Sequence, residues 1–201
     1  MLDLQKILGF VRLLNAFRQV RRALRVNSEE RLENDVEHSY YLGMLAWYIA
    51  DSHHLALDKD LILKYALVHD IVEVHAGDTY VFTTDAKKRD SKEAREKKAI
   101  LQLQKEFPEF GDLHKLIAGY EKREDDESRF VYALDKIQPV LNIYLDNGRT
   151  WKENGVTIQM LVDFKKEKTA LSPEVHSCFD ELIGLLKKDE AKLFGKNNFI
   201  V

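Results

Sequence analysis

The stretch Leu67-Val68-His69-Asp70-Ile71-Val72-Glu73 sets an imidazole and two carboxylates among aliphatic residues. Its flanks are apolar, so the turn bearing His69 and Asp70 is expected to face a core. Burying such groups costs free energy unless something pairs them. A divalent cation would do so, because imidazole nitrogen and carboxylate oxygen both ligate Zn, Mn, Fe or Co. On a helix His69 and Glu73 are four residues apart and Asp70 and Glu73 three, so these side chains can converge. A His-Asp dipeptide by itself is more often an ordinary structural pair, so the rest of the chain must decide.

Beyond this stretch helical spacing recurs throughout and strand-like alternation does not. The helix carrying His69 is expected to start at the cap-like Asp58 and to end at Gly77, which can take a left-handed conformation. Leu4, Ile7, Leu8, Val11, Leu14 and Phe17 form one apolar stripe, predicting a first helix over residues 2–25. Asn34 as N-cap, with Glu37 three residues on, predicts the start of a second. After a loop from Asp78 to about Thr84, further helices are expected near 86–106, 112–121 and 126–146, the first of these with a solvated charged face. Ser172-Pro173-Glu174 reads as another helix start, and the residues after Gly195 as a frayed tail. Three prolines, scattered glycines and the lack of repeats or linkers argue for one all-α domain over residues 1–201.

Composition narrows the classes. The 201 residues are 45% hydrophobic and 32% charged, a globular balance, and the net charge of −3 gives no basic field for a nucleic-acid polymer. Lys6, Arg12, Arg18, Arg21, Arg22 and Arg25 face only Asp3 in the first 25 residues, as in a transit peptide. The apolar residues nevertheless run on without a cleavage-like break, so a first helix is read there. No apolar run approaches the ~20 residues of a membrane span, and no secretory signal is present. The single Cys178 fits a reducing, cytoplasmic setting and is expected to be a small buried side chain.

Two distant segments strengthen the case for a site. In Arg31-Leu32-Glu33-Asn34-Asp35-Val36-Glu37-His38-Ser39, helix capping accounts for Asn34, Asp35 and Glu37. It does not account for His38, because a cation is disfavoured at a helix N-terminus, whereas a neutral imidazole ligand is not. In Phe130-Val131-Tyr132-Ala133-Leu134-Asp135-Lys136 an acid interrupts an apolar helical stripe. Pro139 cannot donate to the Asp135 carbonyl, which predicts a kink there.

The order His38, then His69-Asp70, then Asp135 resembles the HD superfamily of metal-dependent phosphohydrolases. Glu33-Asn34-Asp35-Val36-Glu37-His38-Ser39, His69-Asp70-Ile71-Val72-Glu73-Val74-His75-Ala76-Gly77-Asp78-Thr79, Glu127-Ser128-Arg129-Phe130 and Leu134-Asp135 resemble the bacterial branch related to 5′-deoxynucleotidases. The similarity runs from about Arg22 to Trp151. It implies an all-α HD-domain bundle, core about 22–151 with C-terminal helices packed on it. It also implies His38, His69, Asp70 and Asp135 as ligands of one divalent metal (Mn, Co, Zn, Fe or Mg), Glu73 and Asp78 facing phosphate and water, and a homodimer. An Arg-Trp pair that precedes the first His in that branch is replaced here by Arg21-Arg22-Ala23-Leu24-Arg25, without Trp.

The expected chemistry is hydrolysis of a small phosphorylated substrate, most simply a (deoxy)nucleoside 5′-monophosphate. Metal would supply hydroxide near neutral pH, and Arg22 or Arg31 would offset phosphate charge. Rival readings are a phosphodiesterase or alarmone-type hydrolase, a slow nucleotide-binding regulatory module, and a helical interaction protein without metal. His75 reads as a loop residue, His53, His54, His114 and His176 as surface residues, and Trp151 as a helix anchor rather than a base-stacking lid.

Overall fold

A computed structural model describes residues 2–83 and 85–194. Twelve helices and two short strands are found among them: α1 Leu4–Phe17, β1 Arg21–Arg25, β2 Leu32–Asn34, α2 Asp35–Ser52, α3 Lys59–Val68, α4 Glu73–Ala76, α5 Ala86–Asp90, α6 Lys92–Glu106, α7 Gly111–Lys122, α8 Asp126–Leu145, α9 Arg149–Asn154, α10 Ile158–Thr169, α11 Pro173–Lys188 and α12 Glu190–Leu193. The protein is all-α, and its strands form one two-stranded sheet. No described helix is long and apolar enough to cross a membrane.

The chain forms two compact units. The first comprises residues up to Ala23 together with Leu32–Lys122, and the second Leu24–Arg31 together with Arg123 onward. In the first, Leu13, Ile71, Val72, Ala76, Ala99, Leu103, Phe107, Leu113 and Ile117 form a continuous apolar cluster. Helices α2 and α3 approach closely because small residues line their seam: a Cβ on Gly43 would lie 3.6 Å from Ala66 Cβ, and Ala46, Ala50 and Ala66 are fully buried. Helix α7 meets α3 at Gly119, where a side chain would come within 2.7 Å of the Tyr65 hydroxyl. These contacts hold the ends of α2 and α3 beside one another.

In the second unit α8 packs against α10 and α11, burying Phe130, Leu134, Ile137, Leu161, Phe179 and Leu186. Trp151 stacks on Phe194 at 4.7 Å, the anchoring role expected of it. Gly148 adopts φ +73, and a Cβ there would strike the Leu193 carbonyl, so only glycine fits.

Several boundaries differ from the sequence reading. The first helix ends at Phe17, and residues 21–25 are a strand rather than its last turns. The Val20 carbonyl accepts from Asp35 N–H, and Arg22 is drawn to buried acids, so tertiary pairing outweighs the helical stripe. The expected helix from Asp58 to Gly77 breaks over His69–Val72, where Ile71, Glu73 and Val74 N–H groups bond three residues back in tightened turns. Gly77 has φ +71 but ψ 145, an extended exit rather than a left-handed cap. The 86–106 helix is interrupted at Ser91, whose hydroxyl bonds the Lys88 carbonyl. Pro139 lies inside an unbroken α8. Ser172 precedes α11 as expected, yet its hydroxyl donates to Glu174 instead of capping the backbone. Cys178 is exposed, because it falls off the Val175-Phe179-Leu182-Ile183-Leu186 stripe that α11 buries. The tail after Gly195 lies outside the described residues.

Candidate metal centre

Helix α2 begins with a complete capping box. Asn34 Oδ1 accepts from Val36 and Glu37 N–H, both at 3.1 Å, and Glu37 Oε2 accepts from Asn34 N–H at 3.0 Å. This start sets Asp35, His38, Ser39, Leu42 and Ala46 along one buried stripe, so the inward face opens with an acid and an imidazole.

His69 closes α3, its N–H bonding the Tyr65 carbonyl at 3.0 Å. Its Nδ1 lies 2.9 Å from the Ala66 carbonyl, which accepts only from a protonated nitrogen. In the neutral ring Nε2 therefore carries the lone pair, the tautomer a metal ligand requires. That Nε2 lies 3.1 Å from Asp70 Oδ2, and His38 Nε2 lies 3.7 Å from the same oxygen. The two rings are 5.1 Å apart, and the edge of Tyr120 packs on His69 at 5.7 Å.

Acids crowd the same place. One carboxylate oxygen from each of Asp35, Asp70 and Glu73 lies within 4.8 Å of the others. Asp35 is 0% exposed and Glu73 5%. Among the described residues no N–H hydrogen bond satisfies either Asp35 oxygen or Glu73 Oε2, and a protonated Glu73 is the neighbour placed to donate to Asp35. Arg22 supplies the buried countercharge: Nη1 is 2.8 Å from Asp70 Oδ2 and 3.6 Å from Asp35 Oδ1, and Nε is 3.4 Å from Glu33 Oε2. It does not balance the site. Burial and then the Asp70 charge push the Asp35 carboxyl up to about 7, with Arg22 pulling the other way. Glu73 is raised well above the usual range by burial, then by Asp70, Asp78 and Asp35. Asp78, just past Gly77, is raised by burial while Arg22, Lys92 and Lys88 oppose.

An excess of buried, donor-poor carboxylates beside two imidazoles suits a divalent cation, whose charge would remove the penalty that raises these pKa values. The structure brings His38, His69, Asp70, Glu73, Asp78 and Arg22 into this one neighbourhood of the first unit. Asp135 lies on α8 of the second unit, 7% exposed and ion-paired with Lys136, whose ammonium sits 4.5 Å over the Tyr132 ring. Arg31 directly precedes β2, its carbonyl accepting from Val26 N–H and its guanidinium 2.7 Å from Glu29 Oε2. Sequence reasoning missed Asp35 by assigning it to helix capping, and it also passed over Glu33, which is buried. The signal for Asp35 was its position three residues before His38, in line with Leu42 and Ala46.

The other histidines lie apart from this group. His75 is exposed and bonds Glu106 at 3.0 Å, a protein partner where a loop position was expected. His53 and His54 are exposed. His114 and His176, expected at the surface, are half-buried on the Phe107 carbonyl and the Thr169 hydroxyl.

A helical unit with paired imidazoles and clustered acids at the ends of α2 and α3 has known counterparts. The HD domain family model matches residues 14–176, and the chain belongs to the HD domain family. Among its relatives, the 5′-deoxynucleotidase HDDC2 proteins of Bos taurus and Homo sapiens are each 31% identical over 140 residues, 68% of this chain and 66% of theirs. The chain thus spans just under two thirds of their length. It also resembles the crystal structure of a predicted metal-dependent phosphohydrolase from Magnetospirillum magnetotacticum MS-1. The TM-score is 0.79 at 29% identity, covering 93% of this chain and 96% of that one.

Proposed function

We propose that this protein is a metal-dependent phosphohydrolase that cleaves (deoxy)nucleoside 5′-monophosphates to a nucleoside and inorganic phosphate. The observation that carries the reading is the buried acid cluster around Asp70, with no N–H hydrogen bond to Asp35 or to Glu73 Oε2, beside two imidazole nitrogens. His38, His69, Asp70 and Asp135 are the proposed ligands of one divalent ion. Asp135 is assigned on the order of the motif and on its being an acid buried in an apolar stretch of α8. The name carried by the mammalian relatives supports a monoester substrate over a diester. The reading includes a homodimer in the cytoplasm.

A bound divalent ion supplies a hydroxide-like nucleophile near neutral pH and charge stabilisation at the phosphoryl group. The protein's own groups do the rest. Water gives up a proton as it attacks phosphorus in line with the ester oxygen, the P–O bond to that oxygen breaks, and the alkoxide takes up a proton to leave as the nucleoside hydroxyl. Glu73, beside Asp70 and Asp35, is placed to pass a proton to the leaving oxygen and to be reprotonated from the attacking water. Asp78 orients water or a sugar hydroxyl. Arg22, already beside Asp70, offsets phosphate charge, with Arg31 as a second cation.

The test is phosphate release from ribo- and deoxynucleoside 5′-monophosphates, a cyclic dinucleotide and a generic phosphate ester, with Mn, Co, Mg or Zn. Release from the 5′-monophosphates, lost on chelation and restored by metal, is the expected result. No release from any substrate by metal-loaded protein would overturn the reading. Asp135→Ala is expected to lose bound metal, and retention at wild-type affinity would remove Asp135 from the ligand set.

A further inference from the structure

Between α4 and α6 the chain runs from Gly77 to Ser91 with only the short α5, and this stretch carries Asp78. Residues 85–90 are exposed, so polar contacts weigh in how the stretch is placed. One side chain reaches both ends of it. Arg95, on the first turns of α6, donates from Nη1 to the Ala76 and Gly77 carbonyls, from Nη2 to the Thr79 hydroxyl at 2.7 Å and the Lys88 carbonyl at 3.1 Å, and from Nε to the Ser91 hydroxyl at 3.3 Å. Every guanidinium nitrogen is used. The contacts fall at both ends of the segment: Ala76, Gly77 and Thr79 where it leaves α4, Lys88 and Ser91 where it joins α6. Thr79 itself is buried. The anchor is firm, because the Ala99 and Leu103 side chains of α6 are buried in the same apolar cluster as Ile71, Val72 and Ala76.

We propose that Arg95 is a positioning residue that clamps residues 76–79 to α6 and thereby fixes Asp78 relative to Glu73. Glu73 begins the four-residue helix that Arg95 caps at its last carbonyls, so a single guanidinium sets the spacing between the two acids. A lysine cannot replace it, since one ammonium does not span acceptors arranged around a planar fork. The role of Asp78 that this serves rests on the hydrolase reading above. The clamp itself does not.

Two readouts separate them. Amide hydrogen exchange of metal-loaded protein without substrate is expected to speed up at residues 77–83 in Arg95→Ala, and to a smaller extent in Arg95→Lys, with α6 around Leu103 unchanged. With nucleoside 5′-monophosphate, Arg95→Ala is expected to lower kcat about 10- to 100-fold with a smaller change in KM. In an Asp78→Ala background the same substitution is expected to cost little more, because the group it positions is gone. Wild-type exchange at 77–83 in both Arg95 variants would overturn the clamp. An equal loss of activity with and without Asp78 would overturn its link to Asp78. Absence of turnover by the wild type would instead strike the hydrolase reading, leaving exchange to decide the clamp.

Discussion

Two histidine–carboxylate pairs lie within a few residues of each other in the first unit and share almost the same separation. His69 Nε2 is 3.1 Å from Asp70 Oδ2, and His75 Nε2 is 3.0 Å from Glu106 Oε2. Their surroundings differ. The His75 pair is partly solvated and joined by Gln102, which donates to Glu106 at 2.8 Å, whereas the His69 pair is joined by His38, Asp35, Glu73 and Arg22 in a place from which water is largely excluded. Water screens the first pair and makes it worth little. Around the second, each added acid raises the cost of ionising the others. Distance between partners therefore does not mark a site here. The uncompensated charge behind them does.

The buried pair is the more sensitive of the two. Asp70→Ala removes the oxygen that both imidazoles and Arg22 approach. It is expected to abolish metal retention and to reduce phosphate release by on the order of 10³-fold, as for loss of a central charge-stabilising group. Metal content by elemental analysis with normal turnover would show that the cluster is not the reaction centre.

A smaller effect is expected from Asp35→Asn, which keeps shape and removes one buried charge. Activity should fall about 10- to 100-fold. Stability should respond in the opposite sense when metal is removed. The Asp35 carboxyl is raised from 3.8 to about 7 in the metal-free fold, so the folded state holds a proton that the unfolded chain releases. Its stabilising contribution is full below the unfolded value and is lost as pH rises through about 7. Glu73 and Asp78 shift in the same direction. Chelated wild-type protein should therefore show a falling Tm between about pH 5 and pH 8, with a shallower fall in Asp35→Asn and in protein saturated with Mn. A Tm that rises over that range in chelated protein would contradict the burial argument.

The smallest effect belongs to the solvated pair. His75→Ala is expected to change stability by no more than about 0.5 kcal/mol and to leave turnover at the wild-type level, measured by thermal melts and the same phosphate assay. A large loss of activity would mean that His75 reaches the chemistry.

Much of this was legible in the chain. The Asn34–Glu37 capping box places the start of α2 without any tertiary information, because its hydrogen bonds are local. The apolar setting of His69-Asp70 and the unexplained His38 point to a shared ligand for the same reason that burying such groups is costly. Other features were hidden. A capping explanation for Asp35 was locally sufficient, and only the folded structure shows both its oxygens buried without an N–H hydrogen bond, Arg22 standing 3.6 Å away. Residues 21–25 look like the end of a basic helix until Glu33, Asp35 and Asp70 draw Arg22 inward.

The sequence alone determined the all-α class, the helix starts set by local caps, and the residue types able to hold a divalent ion, since these depend on spacing of a few residues and on intrinsic donor chemistry. Tertiary structure alone decided that the helix breaks at His69, that Asp35 and Glu33 are buried among the acids, and that Arg95 holds the Asp78 segment. Those outcomes depend on which groups are excluded from water together, and that is a property of packing between segments far apart in the chain.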